Sequence, residues 1–301
     1  MGEFIKRTFL FALLVVAALA VGEVVVRHIP TSYSHKREWM DAHAREVKTL
    51  ILGSSHTYYG LSPAEIGDSV FNLANISQTP EYDLALLQKW MPEMTRLKRV
   101  IIPVSYFSFR DPKMEEGGDW RLCQNYQIDM CLGLHSPLSR YNFKISDFAG
   151  WCGMLRGLVL TQEHNHCDSL GFGLGFDIDH RARDWKERAP RRTIDVALPP
   201  DAERSADVAR VYGEIIELLA AKEVECVFLT TPVHKLFREN MERKQYGEMV
   251  RMRDSIAAQY SLRVIDLFSD TTFTDDDFHD ADHLSDLGAS RLSERLAQAI
   301  D

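Results

Sequence analysis

The chain has 301 residues, with 35 basic against 44 acidic side chains and a formal net charge of −9. Apolar residues at 45% and charged ones at 26% fit a globular protein of one large or two small domains and exclude a disordered chain. The acidic balance also excludes a protein devoted to nucleic acid, because no broad cationic field offsets phosphate repulsion.

The apolar residues are unevenly spread. Phe9 to Gly22 reads FLFALLVVAALAVG without a charge and follows Lys6 and Arg7. A bilayer core of ~30 Å needs about 20 helical residues, so Val24, Val25 and Val26 must be included, and Glu23 with them. A cleaved signal peptide would use a small-residue site such as Ala18-Leu19-Ala20. An uncleaved anchor would cross the membrane with residues 4–26 and keep Lys6 and Arg7 in the cytoplasm. We adopt the anchor, since small residues such as Ala17, Ala18 and Ala20 are also common inside membrane helices. Residues 1–28 are then a signal anchor, and 29–301 form a domain on the outer, periplasmic side.

Along that domain, five short β-branched runs are apolar on both faces, as a buried parallel sheet requires. They are Val47 to Leu52, Val70 to Ala74, Arg99 to Val104, Glu225 to Thr230 and Arg263 to Leu267. Helical patterns cover Glu81 to Met94 (with Pro92 as a break), Asp201 to Ala221, Met241 to Tyr260 and Asp286 to Ile300. The alternation predicts an α/β fold, a three-layer doubly wound (flavodoxin-like) parallel five-stranded sheet. Residues 107–199 break the alternation and read as one insertion between strands 3 and 4, of the kind that shapes a ligand crevice. This stretch holds Cys123, Cys131, Cys152 and Cys167, which are either two disulfides of an oxidising compartment or free core thiols. Cys226 reads as a buried small hydrophobe.

Two blocks carry chemistry. Gly53-Ser54-Ser55-His56 follows the first strand, where a serine hydroxyl stands over the crevice and the amides of the next helix face a developing oxyanion. Asp280 and His283, in FHDADHL before the last helix, stand three apart. On a tight turn the carboxylate accepts from one imidazole nitrogen and leaves the other to take a proton from Ser55. A serine hydroxyl is a poor nucleophile without such a base.

GSSH after the first strand, together with DADHLSDLGA before the last helix, resembles the SGNH (GDSL-like) hydrolase superfamily. The resemblance covers Val47 onward apart from the insertion. It implies Ser55 as nucleophile, His283 as general base and Asp280 as its orienting carboxylate. VFNLANISQTP resembles the second family block, which implies oxyanion donors at Ser55, Asn75 and Gln78, the last in place of a glycine. The third block lacks its asparagine, with Ser105 or Tyr106 there instead, and loss of one donor costs about 10²–10³ in rate. The anchor and the D-x-D-H form look most like the branch of DltD-like and alginate-acetylation-like proteins, which act on cell-envelope polymers. The resemblance therefore implies an esterase or O-acyltransferase acting on an acyl ester or O-acylated glycan beside envelope acylation machinery. The alternative is a non-catalytic binding or assembly subunit on the same fold. No cofactor and no metal are expected.

Other motifs read as structure. Gly67-Asp68-Ser69-Val70 precedes a strand and is a turn, and the glycines of Gly171 to Phe176 open no nucleotide loop. His164 and His166 with Cys167 and Asp168 lack a second matched pair of metal ligands. Asp275 to Asp277 lacks calcium-loop spacing. The basic stretch Arg181 to Arg192 is a candidate surface for an anionic glycan or lipid headgroups.

Overall fold

A computed structural model of the chain describes residues 1–160 and 166–300. It divides into two compact units, Met1–Arg37 with Gly118–His166, and Glu38–Gly117 with Cys167–Asp301. The second unit is built on β1 (Thr49–Ile51), β2 (Val70–Asn72), β3 (Arg99–Pro103), β4 (Glu225–Thr230) and β5 (Arg263–Asp266). All pairings are parallel, in the order β2-β1-β3-β4-β5. The five expected strands and the doubly wound class are thus observed. Leu50, Phe71, Ile101, Val227 and Phe228 are wholly buried, which is why these runs carry no alternation of apolar and polar residues. The strand order reverses at β1, which lies between β2 and β3, and the crevice beyond its carboxyl end is the topological switch point where such sheets bind ligands.

The helices follow local signals. Thr79 precedes Pro80–Trp90, with proline pre-set for the first turn, and the helix ends before Pro92 instead of reaching Met94. Asp201 caps Ala202–Ala220 by accepting from the Arg204 amide at 2.9 Å. Arg243–Tyr260 and Asp286–Ile300 complete the expected set. Among the described residues, three further helices of more than ten residues, Ser32–His43, Phe148–Leu160 and Trp185–Asp195, lie outside it, besides shorter ones such as Lys235–Asn240. Ser32–His43 has no sustained apolar period, and in Trp185–Asp195 the narrow buried stripe of Trp185, Ala189 and Thr193 is masked by Pro190 and four basic residues.

The stretch 107–199 is divided between the units. Residues 118–166 belong with the N-terminal segment, and the remainder belongs with the sheet. Within the latter, the Asn72 amide donates to Leu170 O at 3.0 Å, which covers the β2 edge. Gly173 lies so close to Tyr58 and Tyr59 that a Cβ would stand 2.7 Å from both rings. Phe176 stacks on Tyr59 at 3.7 Å and on His279 at 4.2 Å. Gly173 therefore serves close packing, while Gly171 and Gly175 take left-handed φ of +87° and +98°. The disulfide alternative is corrected. None of the five cysteines is in a disulfide, with Cys123, Cys167 and Cys226 buried and Cys131 and Cys152 exposed. Cys167 lies in a different unit from Cys123, Cys131 and Cys152. Burial pushes the Cys226 thiol up to about 12, so it stays a neutral core group.

In the first unit, Gly2–Arg27 forms one helix of 26 residues, long and apolar enough to cross a membrane. Its end is held by Glu23, which accepts from the Lys144 and Ile145 amides at 2.8 and 2.9 Å and from Arg27 Nε at 2.8 Å. Glu23 is thus a cap within the protein. A buried ion pair, Lys144 Nζ to Asp129 at 2.8 Å, holds the same region together.

Gly53 links β1 to the serine block at φ +103°, and a Cβ there would stand 2.0 Å from Pro103 Cγ. Gly53→Ala is therefore expected to cost at least about 1 kcal/mol, read as a lowered denaturation midpoint at unchanged m value.

Candidate active site

The site begins where β1 ends. Ser54 stays extended, and Ser55 opens a single helical turn, Ser55–Tyr58. Thr57 ties this turn back to the strand by donating from Oγ1 to Leu52 O at 2.7 Å. Below it the Gly53 amide donates to Asp83 Oδ1 at 3.0 Å, and the Gln78 side-chain amide donates to the same oxygen. Burial pushes the Asp83 carboxyl up to about 7, against the two amides, which lower it. This buried carboxyl fixes the serine loop to the second-block loop.

The turn before the last helix delivers the other members. Asp280 Oδ1 accepts the backbone amides of Asp282 and His283 at 3.0 and 2.8 Å, which closes the turn. The same carboxylate lies 3.0 Å from His283 Nδ1, and Ser55 Oγ lies 2.9 Å from His283 Nε2. A carboxylate only accepts, so Nδ1 carries the proton and donates, which leaves Nε2 to accept from the serine hydroxyl. The structure therefore brings Ser55, His283 and Asp280 into one hydrogen-bonded chain. Burial alone would lower the His283 pKa, but the Asp280 and Asp282 carboxylates outweigh it and raise the imidazole above its usual value.

Four groups behind this chain were not anticipated. Asp282 is wholly buried, takes Nε and Nη2 of Arg192 at 2.7 and 2.8 Å, and accepts from the Tyr106 hydroxyl at 2.6 Å. Despite burial, nearby His283 and Arg192 hold its carboxyl well below the usual range. Its Oδ1 stands 3.7 Å from His283 Nδ1, a second anion behind the imidazole. His56 packs edge-on to His283 with centroids 5.0 Å apart, hydrogen-bonds Ser105 Oγ through Nδ1 at 2.9 Å, and is kept neutral by burial. Ser105 and Tyr106, in the place of the missing third-block asparagine, are thus supports of His56 and Asp282. The DADH spelling and the His56 beside Ser55 were visible signals. Tyr106 was visible only by its place in the third block and Arg192 only as part of the basic stretch, because tertiary folding alone brings them near Asp282.

The expected oxyanion donors are placed unequally. Ser55 begins a helical turn, where a backbone amide has no intrahelical acceptor. The Asn75 side-chain nitrogen is buried without a hydrogen-bond partner, while its backbone amide donates to Gly53 O at 3.1 Å. Gln78 is turned inward: its backbone amide donates to Asn75 O at 3.3 Å and its side chain to Asp83.

His56, Asp282 and His283 could in principle hold a metal ion. Both Asp282 oxygens already face the Arg192 cation and both His283 nitrogens are hydrogen-bonded, so this donor set does not suit a second cation. Of the rival cluster, His164 lies outside the described residues, His166 is exposed, and Asp168 closes a local turn by accepting from the Leu170 and Phe172 amides. Asp275 pairs with Lys186 and with His234 at 2.9 Å, and Asp277 pairs with Arg291 at 3.1 Å. The basic stretch is largely paired within the protein, with Arg188 and Arg191 still exposed. Arg181 donates to Asp275 O and Phe278 O, Arg188 and Arg191 pair with Asp184 and Asp195, and Arg192 holds Asp282.

A cavity of about 190 Å³ opens over Ser55, lined also by Ser77, Tyr106, Phe107 and Arg192. A second, of about 330 Å³, lies against Asp280, Trp185 and the other side of Arg192. Fold and site together define a doubly wound α/β protein with a Ser–His–Asp chain at its switch point. Among solved structures the chain is similar to a provisionally assigned platelet activating factor from Streptococcus pneumonia, at 12% identity over 97% of this chain and 99% of that one, with a TM-score of 0.44. It is also similar to a lipase/acylhydrolase from Enterococcus faecalis (15% identity, 84% and 95% covered, TM-score 0.40). A provisionally assigned acylhydrolase from Bacteroides fragilis gives 10% identity, 87% and 93% covered, and a TM-score of 0.41. No family model and no curated protein matches the sequence.

Arg192→Leu would leave Asp282 a buried anion with one hydroxyl donor. A loss on the order of 3 kcal/mol is expected in chemical denaturation. Removing that guanidinium also removes a charge that lowers the His283 pKa, so the His283 ring is expected to titrate at higher pH by NMR.

Proposed function

We propose that this protein is a membrane-anchored serine esterase or O-acyltransferase of SGNH type, working outside the cytoplasm through an acyl-enzyme on Ser55. The observation that carries the reading is the unbroken chain from Ser55 Oγ through His283 to Asp280, at 2.9 and 3.0 Å. In this reading Ser55 Oγ attacks an ester carbonyl while His283 Nε2 takes its proton. The imidazolium so formed faces Asp280 and Asp282. The carbonyl oxygen, now an anion, is met by the Ser55 amide and the Asn75 side-chain amide. Collapse of the adduct expels the alcohol, which receives the proton from His283, and leaves the acyl group on Ser55. Water or a sugar hydroxyl then gives its proton to His283 and attacks the acyl-enzyme, and His283 returns that proton to Ser55 Oγ as the acid or new ester leaves.

The substrate we infer, from the sequence resemblance to envelope-polymer enzymes, is an O-acylated envelope glycan or a related acyl ester. Lys6 and Arg7 before the apolar helix support an orientation with the catalytic unit on the outer side. Retention of the helix is supported by Glu23, whose carboxylate caps residues 144 and 145.

Ser55→Ala is expected to lower ester hydrolysis or acyl transfer at least about 10³-fold. A fluorophosphonate should leave its adduct on Ser55 by mass spectrometry. A folded wild-type protein that takes no adduct there would instead favour the binding-subunit role. The base must be neutral, and the carboxylates raise His283 above 6.5, so kcat/KM should climb with pH through a limb lying above 6.5. Asp280→Asn removes the largest raising influence. The limb should then move to lower pH while the plateau falls by on the order of 10²–10⁴.

A further inference from the structure

The first unit leaves its large apolar side chains uncovered in one region. Outside the N-terminal helix these are Leu134, Leu138, Phe143 and Phe148, with Leu138 89% and Phe148 59% exposed. The same stretch is fastened to the end of that helix. Arg27 Nη2 donates to Asn142 O, and Glu23 accepts from the Lys144 and Ile145 amides. Asn142 Nδ2 donates to Ser136 O at 2.6 Å and closes a loop that carries Leu138.

Phe148–Leu160 then packs along the helix. Trp151 lies against Gly22 so closely that a Cβ would stand 2.4 Å from its ring. Val26, Ile29 and Trp151 form a cluster with Leu19, Ile145, Met154 and Leu155. Leu19 and Gly22 belong to the uncharged run, and Arg27 is the first cation after it. From Leu19 to Arg27 the helix rises only about 12 Å. A bilayer that takes in the run therefore brings its boundary to the level of Trp151 and Asn142. The side of Phe148–Leu160 away from the packed residues exposes Phe148, Ala149, Cys152 and Gly153, with Arg156 as its charge. Arg140 is stacked over Trp120 at 4.2 Å and Tyr141 at 5.1 Å nearby in sequence. Apolar tips with interleaved aromatic and basic groups suit the headgroup–acyl boundary, where an interfacial helix buries about 5–10 Å deep. In water the same residues would form an uncovered patch.

We propose that residues 136–156 form a collar embedded in the outer boundary of the bilayer, with Leu138, Phe148 and the Cys152 side in lipid. The proposal rests on the reading of the N-terminal helix as a retained anchor. It adds a second membrane contact to that single span.

The full-length chain carries its own probes. Cys131 and Cys152 are both exposed, and Cys131 lies beside Arg37, beyond the start of Ser32–His43 and outside the collar. In nanodiscs of phosphatidylethanolamine and phosphatidylglycerol, a charged, lipid-insoluble maleimide should label Cys131 at least about tenfold faster than Cys152. A lipid-soluble maleimide should remove that difference, and Leu138→Cys should add a thiol shielded like Cys152. Alkaline carbonate treatment of vesicles holding the same protein reads the anchor separately. Equal labelling of Cys131 and Cys152 by the charged reagent, with the protein retained in the pellet, would overturn the collar and leave the anchor standing. Release by carbonate would overturn both.

Discussion

One hydrogen bond, between Ser55 Oγ and His283 Nε2, joins residues 228 positions apart. Neither partner holds the other in place. Ser55 is fixed by a glycine in a left-handed conformation, a threonine bonded back to the strand and a buried carboxyl beneath the loop. His283 is fixed by a turn that closes on the carboxylate of Asp280. The sheet supplies the common frame. Its order reverses at β1, so the serine stands at the one crevice edge to which the approach to the last helix can also reach. The geometry of two short loops is thus a property of strand order.

The two aspartates of the DADH turn divide the electrostatic work. Asp280, about a third exposed, takes the proton-bearing nitrogen of His283 directly. Asp282, wholly buried, is compensated by Arg192 and Tyr106 and acts on the imidazole across 3.7 Å. A buried anion without those partners would be costly, and one with them is an oriented field that changes little as the imidazole charges. Tyr106 and Ser105 occupy the positions where a family asparagine would be expected. Their side chains face the carboxylate of Asp282 and the ring of His56, so the residues after β3 maintain the electrostatics behind His283.

The fold was largely legible because its strands are buried on both faces and so appear as short unbroken apolar runs, β4 to the residue. Ser55, Asp280 and His283 were legible because local spacing reports turn geometry: three residues bring a carboxylate onto its own histidine. Arg192 was visible only as one cation in a basic stretch, and its inward role depends on a proline-containing helix whose buried stripe, Trp185, Ala189 and Thr193, is narrow and set among charges. The division of residues 107–199 between two units was likewise hidden, because the signal that splits them is contact with the N-terminal helix, not composition. The clustered cysteines misled for a related reason. Proximity in sequence says nothing about proximity of sulfur atoms when the stretch is shared between separate cores.

The sheet closes late along the chain. Thr230 Oγ1 donates to Val104 O across 126 positions, and β4 cannot pair with β3 until the whole intervening stretch is available. Contacts of this range are paid in loop-closure entropy before they return any stabilisation, so assembly is slow compared with a helical bundle of equal size. A chain threaded outward from its N-terminal helix would present the serine loop long before the histidine turn. Ser55 and His283 would meet only after β4 and β5 had docked, so their hydrogen bond would form only with completion of the fold.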